Sequence, residues 1–423
     1  MERPLTANIR PNAPPPDCAT YERAGGYQAM RRALLRMTPA DVVGEVTNSG
    51  LRGRGGAGFG TGQKWSFVPK RKPGRRSYLI ANADEMEPGT FKDRLLLEGD
   101  PHQMIEAVIV SAYAVGATDG YIFVRGEYKL AIARLTHAIG EAQAAGYLGE
   151  DILGSGYSLN LHIHASAGRY ICGEETALLT ALEGRRAQPR SKPPFPQVSG
   201  LWGAPSVVNN VETLCNIPHI ISNGADWFKS LGRGADGGTK LYGISGRVKR
   251  PGTWELPIGT PMREILEEHA GGMQDGYQVR ALLPGGASTA FLGADQLDTA
   301  MDYGSVEKAG SRLGTGSAIV LDDRSCPVGM ICNLEHFFAQ ESCGWCTPCR
   351  DGLPWVERML RALEAGDGED EDLHQLHRHV GLLGPGRTFC AHAPGAMAPL
   401  ESGLRHFHDE FERHVRERHC PWK

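Results

Sequence analysis

Nowhere in the 423-residue sequence does an unbroken apolar run approach the roughly 20 residues that a bilayer-spanning helix needs. The best stretch, "MIEAVIVSAYAVGA" from Met104, is short and carries Glu106, so a soluble chain with no membrane span is expected. Charge of one sign is also scarce. A balance of 45 Lys and Arg against 49 Asp and Glu leaves a formal charge of -4, which gives nucleic acid no electrostatic footprint. The opening "MERPLTANIRPNAPPPD" lacks the apolar core of an export signal, so the thiols are expected in a reducing compartment. Cysteine is sparse, at ten residues, and clustered thiols in such a compartment are metal ligands before they are disulfides.

What is present is an ordinary globular composition, 41% apolar and 22% charged, with 55 Gly and 27 Pro that call for many turns. The length predicts about three units at ~150 residues per domain. The proline-rich first 20 residues read as an extended arm, followed by helical periodicity in "YQAMRRALLRMTPADVVGEVTNSG". From Ser77 to about Gly200, strand-like runs ("SYLIANA", "GYIFVRG", "NLHIHASA") alternate with helical ones, which predicts an α/β layered domain with a largely parallel sheet. Short strands around one helix then predict a small α+β unit from about 235 to 325, and the remainder reads as helical. The acidic "GDGEDED" is expected to be a solvated loop.

The chemistry concentrates in "ESCGWCTPCRDG", where Cys343, Cys346 and Cys349 recur every third residue. Zinc sites usually join two separated pairs, whereas Cys-x-x-Cys-x-x-Cys with one remote cysteine is the habit of a four-iron, four-sulfur cluster. Cys390 in "RTFCAHAPG" is the first candidate for the fourth ligand. Cys326 and Cys332 are weaker candidates, and Cys420 is expected in a frayed tail. Zinc and a structural knot of thiols remain as alternatives. Cys172 and Cys215 sit in apolar contexts and read as core residues.

"GRGGAG", Gly53 to Gly58, satisfies G-x-G-x-x-G. The dinucleotide fingerprint needs a strand before that loop, and here a helical segment precedes it. A phosphate-binding lysine loop also fails, because Lys64 is followed by Trp65. The physics still holds: glycines let backbone amides approach a phosphate, with Arg54 and Lys64 nearby, and a plain Gly-rich connector is the lesser alternative. "NADEMEPGTFKDR" places Asn82, Asp84, Glu85 and Glu87 at the carboxyl end of a strand, where open α/β sheets bind ligands. Glu174 and Glu175 fall in the first turn of a helix starting near Gly173. Complementing the helix dipole explains them as well as bonding to ribose hydroxyls does. Phe59, Phe67 and Phe195 lie in flanking loops and suit ring stacking, though a single aromatic more often packs in a core.

Taken together, "GLRGRGGAGFGTGQKW", "NADEMEPGTFKDR", "GRYICGEETALL", "GLWGAPSVVNNVETL" and "ESCGWCTPCRDG" closely resemble the NADH-binding flavoprotein of respiratory complex I, the NADH-quinone oxidoreductase. The likeness runs through nearly the whole chain after the arm, with the motifs in the same order. It implies an α/β fold: a Rossmann-like FMN- and NADH-binding domain, a ubiquitin-like β-grasp domain, and a C-terminal helical bundle carrying an iron-sulfur cluster. The expected divisions are 1–50 for the arm and helix, then 51–230, 231–325 and 326–423.

Carried over by position, the resemblance implies that Gly53, Arg54, Gly55, Gly56, Lys64, Asn82, Asp84, Tyr170, Gly173, Asn209, Asn210 and Thr213 hold FMN, with Glu85 in the same strand-end group. Glu87, Glu174 and Glu175 are implied to face flavin or NADH, with Glu87 as the residue nearest the chemistry. Lys192 is implied to reach the dinucleotide, and Phe59, Phe67 and Phe195 to flank adenine. Cys343, Cys346, Cys349 and Cys390 are implied to ligate the 4Fe-4S cluster. The one departure is "GFG" at Gly60, where the family usually has "GFP".

The implied activity is hydride transfer from NADH to FMN, then single electrons to the cluster and onward to quinone. No other cysteine group has ligand spacing in the sequence, so partners are implied: a thioredoxin-like 2Fe-2S subunit and a large multi-cluster iron-sulfur subunit. The setting would be cytoplasmic, in a peripheral arm on the inner face of the cell membrane. The alternative is the diaphorase subunit of a soluble NAD-linked hydrogenase or formate dehydrogenase. Those chains often carry a fused N-terminal two-iron domain, whereas only an arm and a short helix precede the glycine loop here. A zinc or ligand-binding scaffold without catalysis is a reading of another class.

Overall fold

The strand β1, Tyr78–Ala83, is apolar on both faces and almost wholly buried, the pattern of a strand inside a parallel sheet rather than at a wetted face. In the computed structural model, which describes residues 2–69 and 74–423, it pairs in parallel with β2, Asp119–Val124, and β2 with β3, Asn160–Ala165. These are the three strands that the alternation of patterns predicts. The fourth, β4, Ser206–Asn210, emerges from the proline-rich segment and lies parallel to β1 with Tyr78 opposite Ser206. The order is β3-β2-β1-β4, so β1 is internal and its carboxyl end opens between β2 and β4.

The helix Pro101–Val115 is buried nearly all round, which accounts for its predominantly apolar composition. Glu106 inside it accepts the Tyr21 hydroxyl at 2.6 Å and the backbone N–H groups of Tyr27 and Met30 at 2.9 and 3.0 Å. This one carboxylate therefore ties the N-terminal segment to the buried helix. The arm is not free: Leu5 is fully buried, and the N–H groups of Leu5 and Thr6 donate to Glu255 at 3.0 and 2.8 Å. The periodic run after it divides into helices Gln28–Arg36 and Pro39–Asn48. The break falls where Thr38 and Asp41 form a capping box and Pro39 opens the second helix.

The second sheet has five strands, β5 Thr239–Ser245, β6 Gly252–Pro257, β7 Val279–Leu283, β8 Leu292–Gly293 and β9 Ser317–Asp322, in the order β6-β5-β9-β7-β8. β5 and β9 are parallel and the other pairs antiparallel. A buried ionic seam joins it to the first domain. Glu212 receives Lys92 Nζ at 2.7 Å and Lys240 Nζ at 3.1 Å, and the Leu241 N–H at 2.8 Å.

Helices Pro327–Glu341, Leu353–Ala365, Asp370–Leu383, His392–His406 and His408–Glu417 form the C-terminal unit, around a core that includes Phe338, Leu353, Leu360 and Leu400. Only part of the acidic run is a loop, because Glu369 and Asp372 cap the helix that begins at Asp370. Among the described residues, no helix is long and apolar enough to cross a membrane.

Candidate active site and cluster centre

The glycine loop sits between the helices Pro39–Asn48 and Thr61–Ser66 and against the carboxyl end of β4. A Cβ on Gly55 would stand 2.9 Å from Asn210 Cβ, and Gly56 has φ +127°, so neither position tolerates a side chain without a shift. Thr213 Oγ1 accepts the Arg54 N–H at 2.8 Å. The Arg54 guanidinium does not lie free beside the loop. It is buried and donates to the carbonyls of Gly237 and Thr239 at 3.0 and 3.3 Å. Tyr303, which nothing in the sequence pattern singles out, donates its hydroxyl to the Gly53 carbonyl at 2.8 Å and lies under the Arg52 guanidinium at 4.0 Å.

At the end of β1, Asn82 Oδ1 accepts the Asp84 N–H at 3.1 Å. Burial pushes the Asp84 carboxyl up to about 7. Neither of its buried oxygens completes a hydrogen bond among the described residues, so the site carries acceptors awaiting donors. Glu85 has a different task from the one expected. Its carboxylate accepts the N–H groups of Lys92, Asp93 and Arg94 at 2.9, 2.8 and 3.2 Å and the Tyr128 hydroxyl at 3.0 Å, which secures the start of the helix Asp93–Gly99. Asn209 takes the Trp65 indole N–H at 2.9 Å, and Asn210 donates to Asp93 at 2.6 Å.

Glu174 caps the helix Glu175–Leu182 through the N–H groups of Thr176 and Ala177 at 2.9 and 2.8 Å. That satisfies the local reading of the pair but leaves Glu175 to a cationic cluster. Glu175 meets Lys64 Nζ at 2.6 Å and Lys192 Nζ at 3.0 Å, and Lys192 also reaches Glu174 at 3.2 Å. Burial opposes ionisation, yet Lys64 and then Lys192 hold the Glu175 carboxyl below its usual range. A Cβ on Gly173 would meet no atom within 4 Å, so the backbone beside these charges faces open space. Phe59, Phe67 and Phe195 are 48%, 54% and 54% exposed, which rules out core packing, and the Phe59 and Phe67 rings lie 6.4 Å apart.

Glu87 lies where the three units meet. Tyr170 donates its hydroxyl to Glu87 Oε2 at 2.6 Å, and the Ser288 N–H donates to Oε1 at 2.7 Å. The Tyr170 ring packs against Phe337, Phe338 and His392 with centroids 5.3, 5.9 and 5.5 Å away. Its backbone N–H donates to Glu341 at 3.0 Å.

Glu341 ends the helix Pro327–Glu341, two residues before Cys343. The segment bearing Cys343 and Cys346 is joined to the one bearing Cys390 by Trp345 and Phe389, edge to face at 4.3 Å. Burial, and then the thiols of Cys346, Cys390 and Cys343, pushes the Cys349 thiol up to about 12. Burial likewise lifts Cys390 to about 11, with Cys343 and Cys346 adding to it. Cys343 and Cys346 thus oppose ionisation at both Cys349 and Cys390, which places the triad and the remote cysteine in one neighbourhood, and bound iron would remove that conflict. An all-thiolate donor set fits a 4Fe-4S cluster. The unpartnered Asp84 acceptors and the glycine backbone beside Asn210 fit the hydroxyls and phosphate of FMN.

This combination defines a flavin and iron-sulfur electron-transfer protein. Residues 46–219 match the family model described as the Nuo51 FMN-binding domain, residues 241–292 the SLBB domain, and residues 329–414 the NADH-ubiquinone oxidoreductase-F iron-sulfur binding region. The F subunit of NADH-quinone oxidoreductase from Escherichia coli strain K12 is 54% identical over 98% of this chain and 93% of its own length. The protein of that name from Mycobacterium tuberculosis is 48% identical over 96% of this chain and 92% of its own. An NAD+-reducing [NiFe]-hydrogenase in its air-oxidised state contains a chain 34% identical to this one with a TM-score of 0.81; the match covers 95% of this chain but 65% of that longer one. The chain belongs to the family of NADH-quinone oxidoreductase F subunits and is accordingly one part of a larger assembly.

Proposed function

We propose that this chain oxidises NADH at the mouth of the parallel sheet and delivers electrons to the cysteine centre. FMN, when bound, accepts a hydride and releases its electrons singly, which reconciles a two-electron donor with a one-electron cluster. The chain's own part is positioning and electrostatics. The Gly53–Gly56 backbone receives the flavin phosphate, and Asp84 offers its acceptors to hydroxyls. Glu175 and Lys192 take the ribose and phosphate groups of NADH, beside the exposed rings of Phe59, Phe67 and Phe195. Glu87, held from both sides by Tyr170 and Ser288, orients the nicotinamide or a water beside it. No side chain is required as a nucleophile.

One observation carries the reading. Tyr170 touches Glu87 with its hydroxyl and Glu341 with its backbone, so the wall of the flavin site is continuous with the segment that bears the cluster. Trp345 beside the cluster is 48% exposed, and such an aromatic supports docking of a partner that brings the next carrier. We assign that place to a thioredoxin-like 2Fe-2S subunit and a large multi-cluster subunit, in a peripheral arm on the cytoplasmic face of the membrane with quinone as the final acceptor. A hydrogenase-linked diaphorase is the second reading, favoured by the 34%-identical structure; the 54% relatives outweigh it. Anaerobic titration of the purified chain with NADH tests the proposal. Bleaching of a flavin spectrum together with a reduced-cluster EPR signal is expected. A colourless protein, or flavin reduction that never reaches the cluster, overturns it.

A further inference from the structure

Cys420 is not frayed. It is 3% exposed, and its sulfur lies with Cys326 Sγ, Glu364 and His414 in a group whose ligand atoms are all within 4.8 Å of one another. These residues come from three helices and the segment that follows the last of them. Cys326 precedes the helix Pro327–Glu341, Glu364 ends Leu353–Ala365, and His414 lies in His408–Glu417. Cys326 Sγ stands 3.0 Å from Glu364 Oε1 and 3.4 Å from His414 Nε2, and those two atoms are 3.1 Å apart. A tetrahedral zinc ion with bonds of about 2.0–2.3 Å sets its ligands about 3.3–3.8 Å apart. The group therefore needs adjustments of only a few tenths of an ångström at these three atoms.

The surroundings are those of a metal site. His414 Nδ1 bonds the Glu410 carbonyl at 2.7 Å, which fixes the proton there and presents the Nε2 lone pair to the group. The Gly329 N–H donates to Cys326 Sγ at 3.2 Å, a contact that orients the sulfur toward the group. Two thiolates and a carboxylate around a divalent ion leave one negative charge. Lys423 Nζ, 2.8 Å from the other Glu364 oxygen, cancels it. Glu364 and Lys423 also line a surface cleft with Cys332 and His336, which gives an ion a route in from solvent.

The geometry points to a structural zinc site formed by Cys326, Glu364, His414 and Cys420. Soft thiolates with one imidazole select zinc over hard cations, and four protein ligands leave no open position for catalysis. Its effect is mechanical: it fastens the last helix and the C-terminal segment to the two helices that frame Cys343, Cys346 and Cys349.

The test is metal analysis of the purified full chain with flavin and cluster in place, after dialysis against EDTA. About one zinc per chain is expected beside the cluster iron, as a single tetrahedral site requires. Cys326→Ser/Cys420→Ser should lose the zinc and keep flavin and iron, and Cys420→His should retain it. Zinc K-edge absorption of the unsubstituted chain decides the matter even if the double variant fails to fold. Two sulfur neighbours at about 2.3 Å and two lighter ones at about 2.0–2.2 Å are expected. No zinc in the unsubstituted chain, zinc undiminished in the double variant, a shell without sulfur, or a Cys326–Cys420 disulfide each overturns the assignment.

Discussion

Tyr170 and Glu87 are 83 residues apart and share a hydrogen bond of 2.6 Å, and the same tyrosine ring rests on the helix that leads to the cluster. Tyr170→Phe removes the donor while keeping the ring. Loss of a hydrogen bond to a charged group costs about 1.5–3 kcal/mol, so NADH oxidation is expected to fall about ten- to a hundredfold, since 1.4 kcal/mol is tenfold. Steady-state kinetics with an artificial acceptor measure it. Full activity in Tyr170→Phe would leave Glu87 without the positioning role given to it.

Asp84 gives a pH signature to the flavin-free protein. Its folded-state value is raised to about 7, above the ordinary value near 4 in the unfolded chain. Folding therefore retains a proton between those limits. Below about pH 4 the group costs nothing; as pH rises from about 4 to 7 its stability penalty grows, and above 7 it is fully present. Asp84→Asn should raise the melting temperature of flavin-free protein at pH 8 and leave it unchanged near pH 4. With FMN donating to the carboxylate the order at pH 8 should reverse, and the substitution should weaken flavin retention. An equal effect at both pH values would contradict the assignment.

The parallel sheet was legible because the apolar runs of β1 and β2 and the alternating pattern of β3 are separated by long helical periods, and the cysteine triad stands out because its spacing is local. β4 was hidden: five residues among prolines carry too little pattern, and only the exposed edge of β1 recruits them. The destinations of Arg54 and Glu85 were equally invisible. A residue type in a loop shows that charge is available, and only the fold shows whether a carbonyl 183 residues away or a neighbouring helix start has already taken it. The same holds for Cys420, whose partners lie 94, 56 and six positions away along the chain.

Gly55→Ala tests the flavin cradle. The added methyl would stand 2.9 Å from Asn210 Cβ, and Asn210 is itself tied to Asp93 at 2.6 Å, so the loop rather than the asparagine must move. The expected outcome is chain that folds, keeps its iron, and loses most of its FMN, as read by absorbance and metal content. Unchanged flavin stoichiometry would place the phosphate elsewhere.

Cys346→Ala separates the two halves of the reaction. Hydride acceptance depends on groups at the sheet, so NADH oxidation with an artificial acceptor should largely survive, while transfer to the downstream clusters of a reconstituted complex fails. Equal loss of both would contradict the ordering of flavin before cluster.

Glu212 is the hinge of the seam between the two sheets, fully buried with Lys92 and Lys240 on it. Burial lowers Lys240 to about 7 even with that partner, so the lysine has little to spare. Glu212→Gln leaves the buried Lys240 ammonium facing a neutral amide, while Lys92 keeps Asp93 at 2.7 Å, and breaking such a pair from one side costs about 3–5 kcal/mol. A large fall in melting temperature is expected. Because the cost comes from the stranded charge rather than from the lost attraction, Glu212→Gln/Lys240→Met should be more stable than Glu212→Gln alone. Thermal melts of the single and double variants decide it: if the double variant is the less stable, the lysine is held by something other than this carboxylate.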